Sequence, residues 1–121
     1  MEYKLIVAGG RDFADYDLLS AELFALAENA PEGVERIAIV SGMARGADAL
    51  GHQFALNENA TVYKFPADWD THGKAAGYKR NQQMAEFSDG LLAFWDGKSR
   101  GTAHMIQTME RMGKEVRVVR Y

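Results

Sequence analysis

Three stretches of the chain set glycines beside a base and an acid: Gly9-Gly10-Arg11-Asp12, Ser41-Gly42-Met43-Ala44-Arg45-Gly46-Ala47-Asp48 and Asp96-Gly97-Lys98-Ser99-Arg100-Gly101-Thr102. Glycine allows the main chain to approach a ligand closely, and a guanidinium gives an anionic oxygen a charge-assisted hydrogen bond. The second and third stretches run into helical patterns, where the first turn leaves N–H groups free and the helix dipole favours an anion. The chemistry they describe is a phosphate cradle. Gly9, Gly10, Ser41, Gly42, Gly101 and Thr102 would supply main-chain and hydroxyl groups, with Met43 and Gly46 in the same loop. Arg11, Arg45 and Arg80, the last beside Asn81, would supply charge, and Trp69, in what reads as a polar loop, would either cap a base or plug the sheet edge.

Four carboxylates lie near these stretches, Asp12, Asp48, Asp68 and Asp96, and are the candidates for general acid–base work. Carboxylates beside phosphate sites also orient arginines and bind ribose, so binding ranks ahead of catalysis. Ser41 lacks the G-x-S-x-G setting of an activated nucleophile and reads as a hydrogen-bonder to phosphate. Neither G-x-G-x-x-G nor G-x-x-x-x-G-K-[ST] occurs. Asp68-Trp69-Asp70-Thr71-His72 alternates metal-ligand types, but His52 and His104 fall in helical patterns without ligand spacing. The expectation is therefore no metal and no cofactor.

Elements must bring these residues together. Apolar or β-branched runs at Lys4–Ala8, Arg36–Ser41, Thr61–Phe65, Gly90–Trp95 and Glu115–Val119 predict strands. Helical periodicity falls between them, at about 15–29, 47–57, 73–87 and 102–112. Leu5-Ile6-Val7 and Ile37-Ala38-Ile39-Val40 are apolar without alternation, as strands covered on both faces are. Strands alternating with helices predict a three-layer α/β/α Rossmann-like domain, with a five-stranded parallel sheet and four helices. Ligands of such sheets bind outside the carboxyl ends of the strands, where strand order reverses. All three glycine stretches follow strands.

With 121 residues the chain has room for one domain, 1–121, and only Pro66–Lys74 is left over as a lid. A chain without cysteine suits the cytoplasm, and no apolar run is long enough to cross a membrane. Fourteen bases against 17 acids give a net charge of −3, which argues against gripping duplex DNA over the whole surface. Single-stranded DNA is disfavoured on the same ground and for want of exposed aromatics to stack on bases. The methionine stripe at 105, 109 and 112 reads as core packing; oligomeric state stays open, with any exposed apolar residues of that helix as a face on which two copies could pair.

Val7-Ala8-Gly9-Gly10-Arg11-Asp12-Phe13, Ser41 to Asp48, Phe65-Pro66-Ala67-Asp68-Trp69, and Gly101-Thr102 with Gly113-Lys114 come in an order that resembles the SLOG superfamily. Within that group of DprA/Smf and LOG proteins, the chain is most similar to the small YspA-like branch. The resemblance implies binding of a nucleotide or nucleotide-derived ligand, a nucleoside phosphate or ADP-ribose type, by a sensor or binding module. LOG enzymes, which cleave nucleoside monophosphates, carry P-G-G-x-G-T-x-x-E, whereas here Met105 stands where the glutamate would be. DprA-like proteins share a Ser-Gly-x-Ala-Arg-Gly-x-Asp pattern that Ser41 to Asp48 match, but they are larger and more basic where they bind single-stranded DNA. The expectation is thus a small-molecule nucleotide partner with nucleic acid set aside, and a hydrolase of N-glycosidic or phosphate bonds as the alternative.

Overall fold

Apolar side chains on both faces of the runs at Leu5 and Ile37 put those strands in the middle of a sheet. The computed structural model describes Met1–Tyr121. Its elements are β1 (Glu2–Gly9), α1 (Tyr16–Glu28), β2 (Arg36–Ser41), α2 (Ala47–Asn57), β3 (Val62–Lys64), α3 (Trp69–His72), α4 (Ala76–Phe87), β4 (Gly90–Trp95), α5 (Arg100–Arg111) and β5 (Glu115–Arg120). The strands pair in the order β3-β2-β1-β4-β5, all parallel. β1 is central, with Gly9 opposite Phe94 of β4 at the carboxyl edge.

Alternation along each strand divides the core into two layers. Leu5, Val7, Ile39, Leu92 and Phe94 meet Leu19 and Leu23 of α1 and Phe54 and Ala55 of α2. Ile6, Ala8, Val40, Leu91 and Ala93 meet Met84 of α4 and Met105, Ile106 and Met109 of α5. Since β1 leads into α1 on one face and β4 into α5 on the other, their exit loops diverge and open a crevice at that edge.

The structure departs from the expected elements in two places, both near the crevice. The segment expected as a polar loop starts a one-turn helix, because Asp68 accepts from the Thr71 N–H at 3.1 Å and caps it. A 3₁₀ turn, Gly73–Ala75, then joins it to α4. The methionine stripe lies in the core, as its spacing suggests. Met105 and Met109 are buried and Met112 is half-buried, so the methionine stripe of α5 is spent on the sheet. No helix is long and apolar enough to cross a membrane.

Lys114, part of the family-like pattern, lies at the opposite edge of the sheet. Its Nζ donates to the carbonyls of Ala85 at 2.6 Å, Glu86 at 3.3 Å and Ser88 at 2.7 Å. A cation there closes the C-terminus of α4, whose last carbonyls have no partner inside the helix. Lys114→Met should lower stability by about 2 kcal/mol, in the range of a charge-assisted bond. Urea unfolding checks this: the midpoint falls while the slope stays unchanged.

Candidate functional site

The loops after β1 and β2 touch, and two glycines permit it. Gly46 has φ +76° and ψ −129°, and a Cβ there would stand 2.2 Å from the Gly10 carbonyl oxygen. A Cβ on Gly9 would stand 2.3 Å from the Phe94 carbonyl oxygen. Gly10 donates its N–H to that same oxygen at 3.1 Å, and its own carbonyl accepts from Phe13 at 3.2 Å and from Ala47 at 3.3 Å. The first loop is thereby clamped between α2 and β4. The main-chain N–H groups of Arg11, Asp12, Arg45 and Gly46 make no hydrogen bond within the protein.

A cleft of about 530 Å³ follows the carboxyl edge, lined by Gly10, Arg11, Asp12, Asp48, Asp96, Gly101 and Thr102 from the strand exits. Trp69, Lys74, Tyr78, Arg80 and Asn81 form its other wall. A second hollow of about 320 Å³ shares Arg11, Ala44, Trp69 and Arg80 with the first and runs on past Met43, Arg45 and Pro66. The site is therefore an open groove rather than an enclosed pocket.

Its charge differs from the chain's average. The four ion pairs of the protein involve Met1, Glu2, Lys4, Glu22, Glu35, Arg36, Asp89 and Arg117, none of which lines the groove. Arg11, Arg45, Lys74 and Arg80 have no carboxylate within ion-pair distance. Arg80 is half-buried and donates to the Gly42 carbonyl, and desolvation lowers its guanidinium from the usual range. Asp48 is only 5% exposed, and burial pushes its carboxyl up to about 6 against the pull of Arg80. A Cβ on Gly42 would meet Arg80 Nη1 at 2.5 Å and Asp48 Oδ2 at 2.7 Å, so glycine is what lets both side chains converge there.

Several residues expected to touch a ligand are instead used up inside the protein. Ser41 is fully buried; its hydroxyl donates to the Asp48 carbonyl and accepts from the Met43 N–H, each at 3.1 Å. Its expected role as a phosphate hydrogen-bonder is corrected: it braces the loop and holds Met43 at φ +63°, a conformation side-chain-bearing residues seldom adopt. Thr102 is buried with its hydroxyl 3.1 Å from Ser99 Oγ, the cap of α5. Asn81 accepts from Arg80 Nε at 3.2 Å, donates to the Gly101 carbonyl at 3.2 Å, and lies 3.1 Å from His104 Nδ1.

The four carboxylates separate in the same way. Asp68 caps α3 and Asp96 accepts from the Lys98 and Ser99 N–H groups at 2.8 Å each. Those bonds hold both carboxyls below the usual range, which suits turn-building and removes them as proton donors near neutrality. Asp12 accepts from the Tyr121 hydroxyl. Burial brings Asp48 closer to neutrality. No group of three or more His, Asp or Glu side chains is arranged to hold a metal ion.

Lys74, Tyr78 and Ser99 also line the groove and were missed in the sequence. Tyr78 stands three residues before Asn81, so the two share a helix face, and that spacing was the available signal. Tyr78 is 48% exposed and Trp69 51%. Aromatics are therefore not scarce at this edge.

Residues 3–72 match the model of the YspA, cpYpsA-related SLOG family. The Gene 61 protein of Mycobacterium phage D29 is 33% identical over 120 residues, covering 91% of this chain and 90% of that protein. Among solved structures, DNA processing protein A from Helicobacter pylori, described for its unique single-stranded DNA binding mode, is similar with a TM-score of 0.68 at 19% identity. That likeness covers 96% of this chain and 64% of the other, so this chain spans less than two thirds of its length. It overturns the expectation of a free nucleotide-type ligand with nucleic acid set aside, because a protein with this sheet takes single-stranded DNA. Both grounds for setting nucleic acid aside also weaken in the structure: the average charge hides four cations without ion-pair partners along a groove that also carries Asp12, Asp48 and Asp96, and exposed aromatics stand beside them.

Proposed function

The chain belongs to the YspA, cpYpsA-related SLOG family, and from that premise we propose that it binds single-stranded DNA along the groove at the carboxyl edge of its sheet. The observation that carries this reading is the continuity of the two hollows, with Arg11 and Arg80 common to both and Lys74 and Arg45 on either side. A linear polyanion fits an open groove with cations spread along it, whereas a compact ligand would favour an enclosed pocket. The unbonded N–H groups of Arg11, Asp12, Arg45 and Gly46 would donate to phosphate oxygens, contacts that fix position without reading sequence. The resemblance to DNA processing protein A supports the ligand class. A chain without cysteine suits the reducing cytoplasm, where we place it.

Fluorescence anisotropy with a labelled single strand of about 16 nucleotides tests the proposal. Binding should weaken with salt, with a log–log slope of about −2 to −3 if three or four phosphates are neutralised. Arg45→Ala, at an exposed position, should weaken binding about fivefold, roughly 1 kcal/mol, and make the slope shallower by about 0.7. No binding at low salt, or equal binding by Arg45→Ala at every salt concentration, contradicts the proposal.

A further inference from the structure

The two exposed aromatics of the groove are not placed alike. Trp69 lies near Gly77 of α4, where a Cβ would come to 3.6 Å from its ring, an ordinary packing distance. Tyr78, the next residue, faces the same cleft and is backed by the His104 ring, with centroids 4.3 Å apart and planes 31° from parallel. His104 is in turn fixed by Asn81, which sits 3.1 Å from its Nδ1 and also holds Arg80 and the Gly101 carbonyl. Since the Asn81 amide donates to Nδ1, the imidazole proton belongs on Nε2. Desolvation and Arg111 hold the ring below its ordinary pKa, so it backs the tyrosine as a neutral ring.

A tyrosine that merely filled a helix–helix joint would be buried between α4 and α5. Tyr78 instead leaves about half its surface to the cleft while its other side is braced through two further residues. An open, rigid aromatic face beside a cationic path is what an unpaired base needs, since a platform already ordered loses little entropy on stacking. We propose that Tyr78, braced by His104 and Asn81, is a base-stacking platform in the cleft that Trp69 also lines, so that the groove takes strands with unpaired bases and discriminates against paired or baseless polyanions. This rests on the reading of the groove as a single-strand site and adds what the strand must carry.

The test compares a thymidine oligonucleotide with an abasic oligonucleotide of equal length and phosphate count, and with the corresponding duplex, in anisotropy titrations. The abasic strand and the duplex should bind about tenfold more weakly than the thymidine strand. Tyr78→Leu should reduce thymidine-strand affinity to the abasic level while leaving abasic binding unchanged, and Tyr78→Phe should restore the difference. A thermal melt checks that both variants fold. Equal binding of thymidine and abasic strands overturns the platform but leaves phosphate-directed binding standing. Equal loss for both strands in Tyr78→Leu assigns the residue to packing and also overturns it. Failure of all three probes overturns the single-strand reading together with the platform.

Discussion

Gly46→Ala is expected to destabilise the protein by about 3–5 kcal/mol, a large share of the ~5–15 kcal/mol that holds a domain of ordinary stability together. Two effects add. The backbone at φ +76° and ψ −129° lies where only glycine rests without strain, which costs about 1–3 kcal/mol for any other residue. The new Cβ would also stand 2.2 Å from the Gly10 carbonyl oxygen and 2.7 Å from Arg11 Cα, main-chain atoms that cannot swing aside. Forcing extra volume into such a place typically costs about 1–3 kcal/mol more. Gly113→Ala is the control. Gly113 also has a positive φ of +70°, but nothing lies within 4 Å of its Cβ position, so only the conformational cost of about 1–2 kcal/mol applies. Urea unfolding of the two variants separates the effects, and equal losses would show that the loops do not meet as described. Because Gly46 holds the second loop against the first, its replacement should also abolish strand binding in whatever fraction stays folded.

Asp48→Asn should flatten one limb of the stability–pH curve. The folded carboxyl titrates at about 6, against 3.8 in an exposed setting, because burial disfavours its charge. The unfolded chain therefore releases this proton first as pH rises, and between those two values the folded state binds more protons. Stability contributed by the neutral form is complete below about pH 3.8 and lost once pH passes about 6, a fall of about 3 kcal/mol. The carboxylates of Asp68 and Asp96 act in the opposite direction, being held below their usual range. The difference between wild type and Asp48→Asn isolates the one group. That difference should be small near pH 4 and should favour the variant near pH 7. Strand binding should follow the same window, since protonating Asp48 removes a negative charge beside Arg80. An Asp48→Asn curve parallel to wild type across that range would show the carboxyl to be hydrated rather than buried.

The architecture was legible because it depends on patterns that survive in one dimension. Unbroken apolar runs marked β1 and β2 as covered on both faces, and alternating strands and helices placed the glycine loops at one edge. The fate of individual polar side chains was not legible. Ser41, Thr102 and Asn81 are the residue types that bind phosphate, but Asp48, Ser99 and His104 reach them first in the folded chain, and none of those pairings follows from spacing alone. Net charge misled for a related reason. A sum over the chain cannot show that acids and bases pair off near Glu2, Lys4, Arg36 and Asp89 while Arg11, Arg45, Lys74 and Arg80 stay unpaired elsewhere. Trp69 was read as part of a polar loop because the Asp68 cap serves a helix of a single turn, too short to show periodicity.

Amide mapping by NMR during titration with a single-stranded oligonucleotide tests the central claim most directly. The N–H signals of Arg11, Asp12, Arg45 and Gly46 should shift together and saturate at one affinity, while those of Glu2, Lys4 and Asp89 at the amino edge stay in place. Shifts confined to the amino edge, or none at saturating strand, would contradict it.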